Sequence, residues 1–148
     1  MIQRVQTLWM LLAAIAVFLT IKFSFYSGTL IMENVTNPST VLTPDGSYHA
    51  LTARDSILIL ILTGALGAGI LINIFLFKHR SIQMRIILAA VVAECLIVYL
   101  YFRETNKYSQ GNLNIWSALH ILIMVFLLFA AQGIYKDSKL IKESNRLR

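Results

Sequence analysis

Two ionisable side chains, Glu94 and His120, stand deep inside long apolar runs of this 148-residue chain, and any chemistry in those runs would centre on them. A charged carboxylate in the middle of a membrane helix costs about 2.5–3.5 kcal/mol on insertion scales, so Glu94 must be neutral, paired, or turned toward a protein interior. Helix rise puts Glu94 about 12 Å below the outer end of its run, near Phe102, and His120 about 10 Å below Leu113. The stretch joining the two runs is short, so the helices are expected to be antiparallel neighbours and the two groups level with one another. A Glu94–His120 contact follows. It has two readings: a proton or cation relay, since a buried acid–base pair titrates as a unit, or a polar clasp that fixes helix register. Ser117, one turn from His120, could complete the same network. Tyr101 lies on the Glu94 face two turns outward. A Ser-His hydrolytic site would need side chains converging from separate elements with an oxyanion hole, and nothing here supplies one.

Asn73 and Gln132 each fall about one turn from the inner ends of their runs. They could bond across the second and fourth helices, or reach interfacial water separately. Gly64-Ala65-Leu66-Gly67-Ala68-Gly69 contains two small-xxx-small pairs, Gly64/Ala68 and Ala65/Gly69, and Ala89/Ala93 is similar. Such pairs let another backbone approach closely. The partner is expected to be a helix of this chain, with a helix of another protein as the alternative. The glycines are not a nucleotide loop, because no strand precedes them and no phosphate-binding Lys follows. Cys95 is the lone cysteine, which excludes an intrachain disulfide, a Cys-His metal cluster and a thiol redox pair. No cofactor, metal or catalytic constellation is implied, and the chain is expected not to be an enzyme.

These residues need elements to carry them. Hydrophobic residues make up 57% and charged residues 14%, against about 45–50% and about 25% in ordinary globular chains. The excess is gathered into four continuous runs over 5–26, 57–77, 86–102 and 113–135. Each is near the ~20 residues a helix needs to cross ~30 Å of hydrocarbon. Transmembrane strands would alternate apolar and polar residues, and these runs do not. The fold class expected is all-α: one membrane domain over 1–148, a four-helix transmembrane bundle. No proline falls in a run; Pro38 and Pro44 lie in the long loop 27–56. That loop has β-branched stretches around Thr29–Thr36 and Ser39–Thr43 and a Pro44-Asp45-Gly46 turn, so a small hairpin over the outer helix ends is plausible, with an irregular loop as the alternative. Asn34-Val35-Thr36 is a weak match to a glycosylation acceptor. Ala14-Ile15-Ala16 resembles a cleavage site but falls in the middle of the first run, so that run is read as a retained anchor.

Orientation follows from the basic residues. With the N-terminus inside, Arg4, Lys78, Arg80, Arg85, Lys136, Lys139, Lys142, Arg146 and Arg148 are cytoplasmic, and Lys22, Arg54, Arg103 and Lys107 are opposite. Nine against four places both termini in the cytoplasm. The net charge of +6 is explained by this asymmetry and by anionic lipid head groups, and needs no nucleic acid. The tail 136–148 carries five basic and two acidic residues, with Leu140, Ile141 and Leu147 as a narrow apolar stripe on a helix continuing from the fourth run. Lys136, Lys139, Lys142, Arg146 and Arg148 would contact lipid head groups, or else a cytosolic partner. Lys22 can snorkel. Tyr26, Tyr99, Tyr101, Phe102 and Trp116 at outer ends, with Trp9, Phe77 and Tyr135 at inner ends, form an interfacial aromatic belt.

The opening Met1-Ile2-Gln3-Arg4-Val5-Gln6-Thr7, the early long loop, and the ending from Tyr135-Lys136-Asp137 to Asn145-Arg146-Leu147-Arg148 resemble a family of small four-helix inner-membrane proteins of Gram-negative bacteria, a domain of unknown function. The resemblance covers nearly the whole chain and implies a bacterial cytoplasmic-membrane protein without assigning a reaction or ligand. Asn145 stands where the family pattern has Asp. Two functions compete. One is a non-enzymatic structural or accessory subunit of an envelope complex, bound to lipids and to other membrane proteins. The other is a small oligomeric transporter or proton-coupled carrier using Glu94 and His120. No internal inverted repeat is detectable, which weakens the carrier.

Overall fold

The computed structural model describes residues 2–34, 37–42, 49–76 and 79–146, with side chains described over 5–29, 49–76, 79–108 and 111–140. Its elements run α1 (Ile2–Lys22), β1 (Tyr26–Asn34), β2 (Asn37–Leu42), β3 (His49–Leu51), α2 (Ile57–Phe75), α3 (Arg80–Thr105), β4 (Tyr108–Leu113) and α4 (Ala118–Arg146), with single 3-10 turns at Ala53–Asp55 and Ile115–Ser117. Four stretches, Val5–Lys22, Ile57–Phe75, Arg80–Thr105 and Ile115–Leu140, are long and apolar enough to cross a membrane.

One spacing organises the bundle. The seam positions are Gln6, Met10, Ala13, Val17 and Thr20 on α1, where Ala14 and Ala16 are also buried, and Ile59, Thr63, Leu66, Ile70 and Asn73 on α2, where Gly67 is also buried. On α3 they are Gln83, Ile87, Ala90, Glu94, Ile97 and Tyr101, and on α4 His120, Ile123, Leu127, Ala130, Ile134 and Asp137. Each set advances by alternating threes and fours, the 3.5-residue repeat that keeps one seam facing a neighbour. The helices close into a ring in which α1 packs on α2 and α4, and α3 packs on α2 and α4. Large apolar side chains such as Leu11, Phe18, Ile61, Val92 and Leu128 face outward. Large apolar side chains thus cover the outer surface as well as the core, and a few polar ones are buried among them, an arrangement suited to hydrocarbon rather than water.

The all-α expectation is corrected by a four-stranded antiparallel sheet at one end of the bundle. The first half of β1 is flanked by β3 on one edge (Tyr26↔Leu51, Gly28↔His49) and by β4 on the other (Tyr26↔Leu113, Gly28↔Gly111). Its second half pairs with β2 (Ile31↔Leu42, Asn34↔Asn37), giving the hairpin. The Pro44-Asp45-Gly46 turn, the Val35-Thr36 part of the acceptor tripeptide, and Phe77 lie outside the described residues. β4 falls in what reads as a plain connection, 103–112. Its sequence, Tyr-Ser-Gln-Gly-Asn-Leu, carries little strand preference of its own, and its conformation is imposed by pairing with β1. The sheet is tied to the helix ends: Phe25 N–H donates to Leu51 O (2.8 Å), Asn114 N–H to Phe25 O (3.0 Å), and Asn114 Nδ2 to Ser24 Oγ (2.6 Å). The Thr52 N–H and hydroxyl both donate to Asp55 Oδ2, at 2.6 and 3.0 Å, closing the turn that leads into α2. Lys107 pairs with Glu104 at the end of α3. Partial burial, then the Asp55 and Glu104 carboxylates, pushes the Tyr108 phenol above its usual value.

α3 and α4 extend beyond their expected limits, α3 beginning at Arg80 and α4 running through the basic tail to Arg146. The extensions are amphipathic rather than uniformly apolar, so a hydropathy reading stops short of them.

Candidate functional site: a buried Glu–His pair

Glu94 reaches from the α3 seam and His120 from the first turn of α4. His120 Nδ1 lies 2.6 Å from Glu94 Oε1, with the residues 4% and 1% exposed. At that separation one proton sits between the two atoms, whichever of them carries it, so the pair needs no further partner to remain in the bundle. Antiparallel neighbours joined by a short connection bring the two groups level.

An aromatic roof covers the pair. Phe25, from the chain that leaves α1, stacks on Tyr101 with ring centroids 4.6 Å apart and meets His120 edge-on at 5.5 Å; Tyr101 meets His120 at 5.2 Å. Tyr101 is fully buried, and its hydroxyl has no hydrogen-bond partner among the described residues. Ser117 is not bonded to His120 among the described residues; both line a cavity of about 340 Å³ between α3 and α4, walled by Phe25, Val98, Phe102 and Met124. On the side of the pair away from the sheet the core is apolar through Ile87, Ala90, Leu127 and Ile123.

The Asn73–Gln132 layer is corrected. α2 and α4 stand diagonally in the ring, so seam residues of one face α1 and α3 before they face the other. Asn73 instead pairs with Gln83 of α3: Asn73 Nδ2 donates to Gln83 O and Gln83 Nε2 donates to Asn73 O, each at 3.3 Å. Met10 Sδ from α1 accepts weakly from both amides, at 3.7 and 3.8 Å. Gln83 precedes the apolar run that begins at 86, so hydropathy does not point to it. Its spacing of four and seven residues before Ile87 and Ala90 was the available signal. Gln132 is exposed beside α1 with Gln6 and Lys136. Arg80 Nη1 lies 3.1 Å from the buried Asp137 Oδ2, a second link between α3 and α4 that the sequence reading counted only as charge.

The small-residue face of α2 is divided. A Cβ on Gly67 would meet the Phe18 ring at 2.9 Å, so Gly67 is where α1 comes close. Cβ atoms on Gly64 and Gly69 would meet open space, and Ala65 and Ala68 are exposed. Ala65 and Gly69 line a shallow outward groove of about 280 Å³ with Ala89 and Ala93 of α3. Lys136 and Lys139 are exposed on α4; the side chains of Lys142 and Arg146, and Arg148 entirely, lie outside the described residues.

Comparison with curated proteins and with solved structures finds no match. The family described as Domain of unknown function (DUF4293) matches residues 2–147. With the match covering nearly its whole length, this chain belongs to the DUF4293 family.

Proposed function

We propose that the protein is a multi-pass, non-enzymatic accessory or structural subunit of a bacterial cytoplasmic-membrane complex, with both termini cytoplasmic and the sheet outside. The observation that carries this reading is that two pairs of intramembrane polar residues are engaged across helices. Glu94 is bonded to His120, and Asn73 to Gln83, with apolar core between the two layers. A relay needs a chain of exchangeable groups, whereas a clasp needs only its two members. The nine-to-four division of basic residues supports the orientation, and the sheet at the opposite end from Arg80 and Asp137 provides backbone edges for a partner.

A second reading, a proton-coupled carrier working as an oligomer, is favoured by one observation: the unpartnered Tyr101 hydroxyl beside the pair, next to the cavity that His120 lines. Purification of the full-length tagged protein from its native membrane in mild detergent separates the two. The accessory reading predicts a stoichiometric partner protein that stays bound when Glu94 is replaced by Gln. A homo-oligomer without a partner, with pH-dependent ligand binding lost in Glu94→Gln, would instead establish the carrier.

A further inference from the structure

At the end of the bundle that carries Arg80 and Asp137, α1 and α4 part to form a groove of about 650 Å³. This is within the ~300–1,000 Å³ typical of small-molecule sites. It resembles neither the apolar cavity at His120 nor the shallow α2–α3 groove, because its two ends differ in chemistry. One end is walled by Trp9 and Phe129, whose rings are 5.1 Å apart. The other carries Lys136 and Lys139, three residues apart and therefore on one face of α4, with the amides of Gln6 and Gln132 between. Gln6 is buried, and its Nε2 has no hydrogen-bond partner among the described residues. A buried amide N–H without an acceptor is unfavourable, so this donor calls for an acceptor from outside the chain.

We infer that this groove binds an anionic diacyl phospholipid, its phosphate held by Lys136 and Lys139 and an acyl chain laid along Trp9 and Phe129. A phosphate group supplies the negative charge that two neighbouring ammonium groups attract and the acceptor oxygen that the Gln6 amide lacks. The hydrocarbon chain matches the aromatic wall. The inference rests on the membrane reading given above, with the lysine end on the cytoplasmic side, where anionic lipid is concentrated. The shared chemistry with a soluble anion is the phosphate; the aromatic wall commits the site to the lipid.

The two tryptophans make the test direct, since Trp9 lines the groove and Trp116 stacks on Phe23 in the opposite half. Full-length protein carrying Trp116→Phe is reconstituted in phosphatidylcholine vesicles. A fixed minority of the lipid is acyl-brominated phosphatidylglycerol in one set and acyl-brominated phosphatidylcholine in the other, and Trp9 quenching is compared. Two basic residues at an anionic surface give a preference on the order of 30-fold, so phosphatidylglycerol is expected to quench far more strongly. Lys136→Gln/Lys139→Gln is expected to remove the preference, and Lys136→Arg/Lys139→Arg to keep it. Equal quenching by the two lipids in the parent, or an unchanged preference in the Gln pair, overturns the site. Excess inorganic phosphate is expected to leave the preference intact; if it abolishes the preference, the site takes a soluble anion and the lipid assignment is wrong. Quenching by brominated phosphatidylcholine itself reports that Trp9 lies among acyl chains. Its presence without a phosphatidylglycerol preference therefore sinks the site alone, and its absence sinks the membrane reading.

Discussion

Replacing His120 with Leu is expected to destabilise the protein by about 3–5 kcal/mol, the range for breaking a buried pair by removing one member. The loss arises because Glu94, 1% exposed, then keeps a carboxyl in the core with no partner. Neutral side-chain bonds between membrane helices are worth less, about 0.6 kcal/mol on average. The carboxyl is expected to exceed that figure because its Oε1 bonds to His120 and the surrounding core is Ile97, Ala90 and Leu127. Glu94→Leu should cost less, about 1–3 kcal/mol, since the stranded group is then an imidazole that can stay neutral. The double variant Glu94→Leu/His120→Leu should recover most of the loss, because replacing both members of a buried pair with apolar residues is often close to neutral. Unfolding in mild detergent, run as a double-mutant cycle, measures all three. Additive losses would show that the two residues do not act as a pair.

The second large effect is expected outside the bundle core. Gly111 of β4 faces Gly28 of β1, and a Cβ there would fall on the Ser27 carbonyl oxygen and within 2.7 Å of the Gly28 Cα. Both are backbone atoms in a paired strand, so neither can yield as a flexible side chain does. Gly111→Val is expected to separate β4 from β1 and cost about 1–3 kcal/mol or more by overpacking. Hydrogen exchange reads it locally: amides of Ser27 to Thr29 lose protection while those in the middle of α3 keep theirs. Unchanged protection across β1 would show that the β1–β4 pairing does not hold this end together.

What the sequence makes legible follows from where the physics is local. Four continuous apolar runs are visible because hydrocarbon demands them residue by residue. The level of Glu94 with His120 is visible because rise per residue and a short connection are both local quantities. β4 is not, since nothing in Tyr108–Leu113 favours a strand until β1 lies beside it. The partner of Asn73 is not legible for a different reason: finding Gln83 rather than Gln132 beside it requires knowing which helices are diagonal in the ring, and that order is a property of the whole bundle. Gln83 and Asp137 nevertheless had a signal. They sit in phase with the seven-residue seam that also carries Glu94 and His120, and the seam is more informative at the helix ends than hydropathy, which fades where charged residues begin.

The proposed orientation, with the lysine end cytoplasmic and the sheet outside, is tested most directly by labelling from one side of the membrane. With Cys95, which is exposed on the bundle surface, replaced by Ser, single cysteines are placed at His49 in β3 or at Ser138 near the end of α4. A membrane-impermeant maleimide applied to cells with an opened outer envelope and an intact cytoplasmic membrane is predicted to label His49→Cys at once, and Ser138→Cys only after that membrane is disrupted. Labelling of Ser138→Cys in intact cells, with His49→Cys protected, would contradict the account.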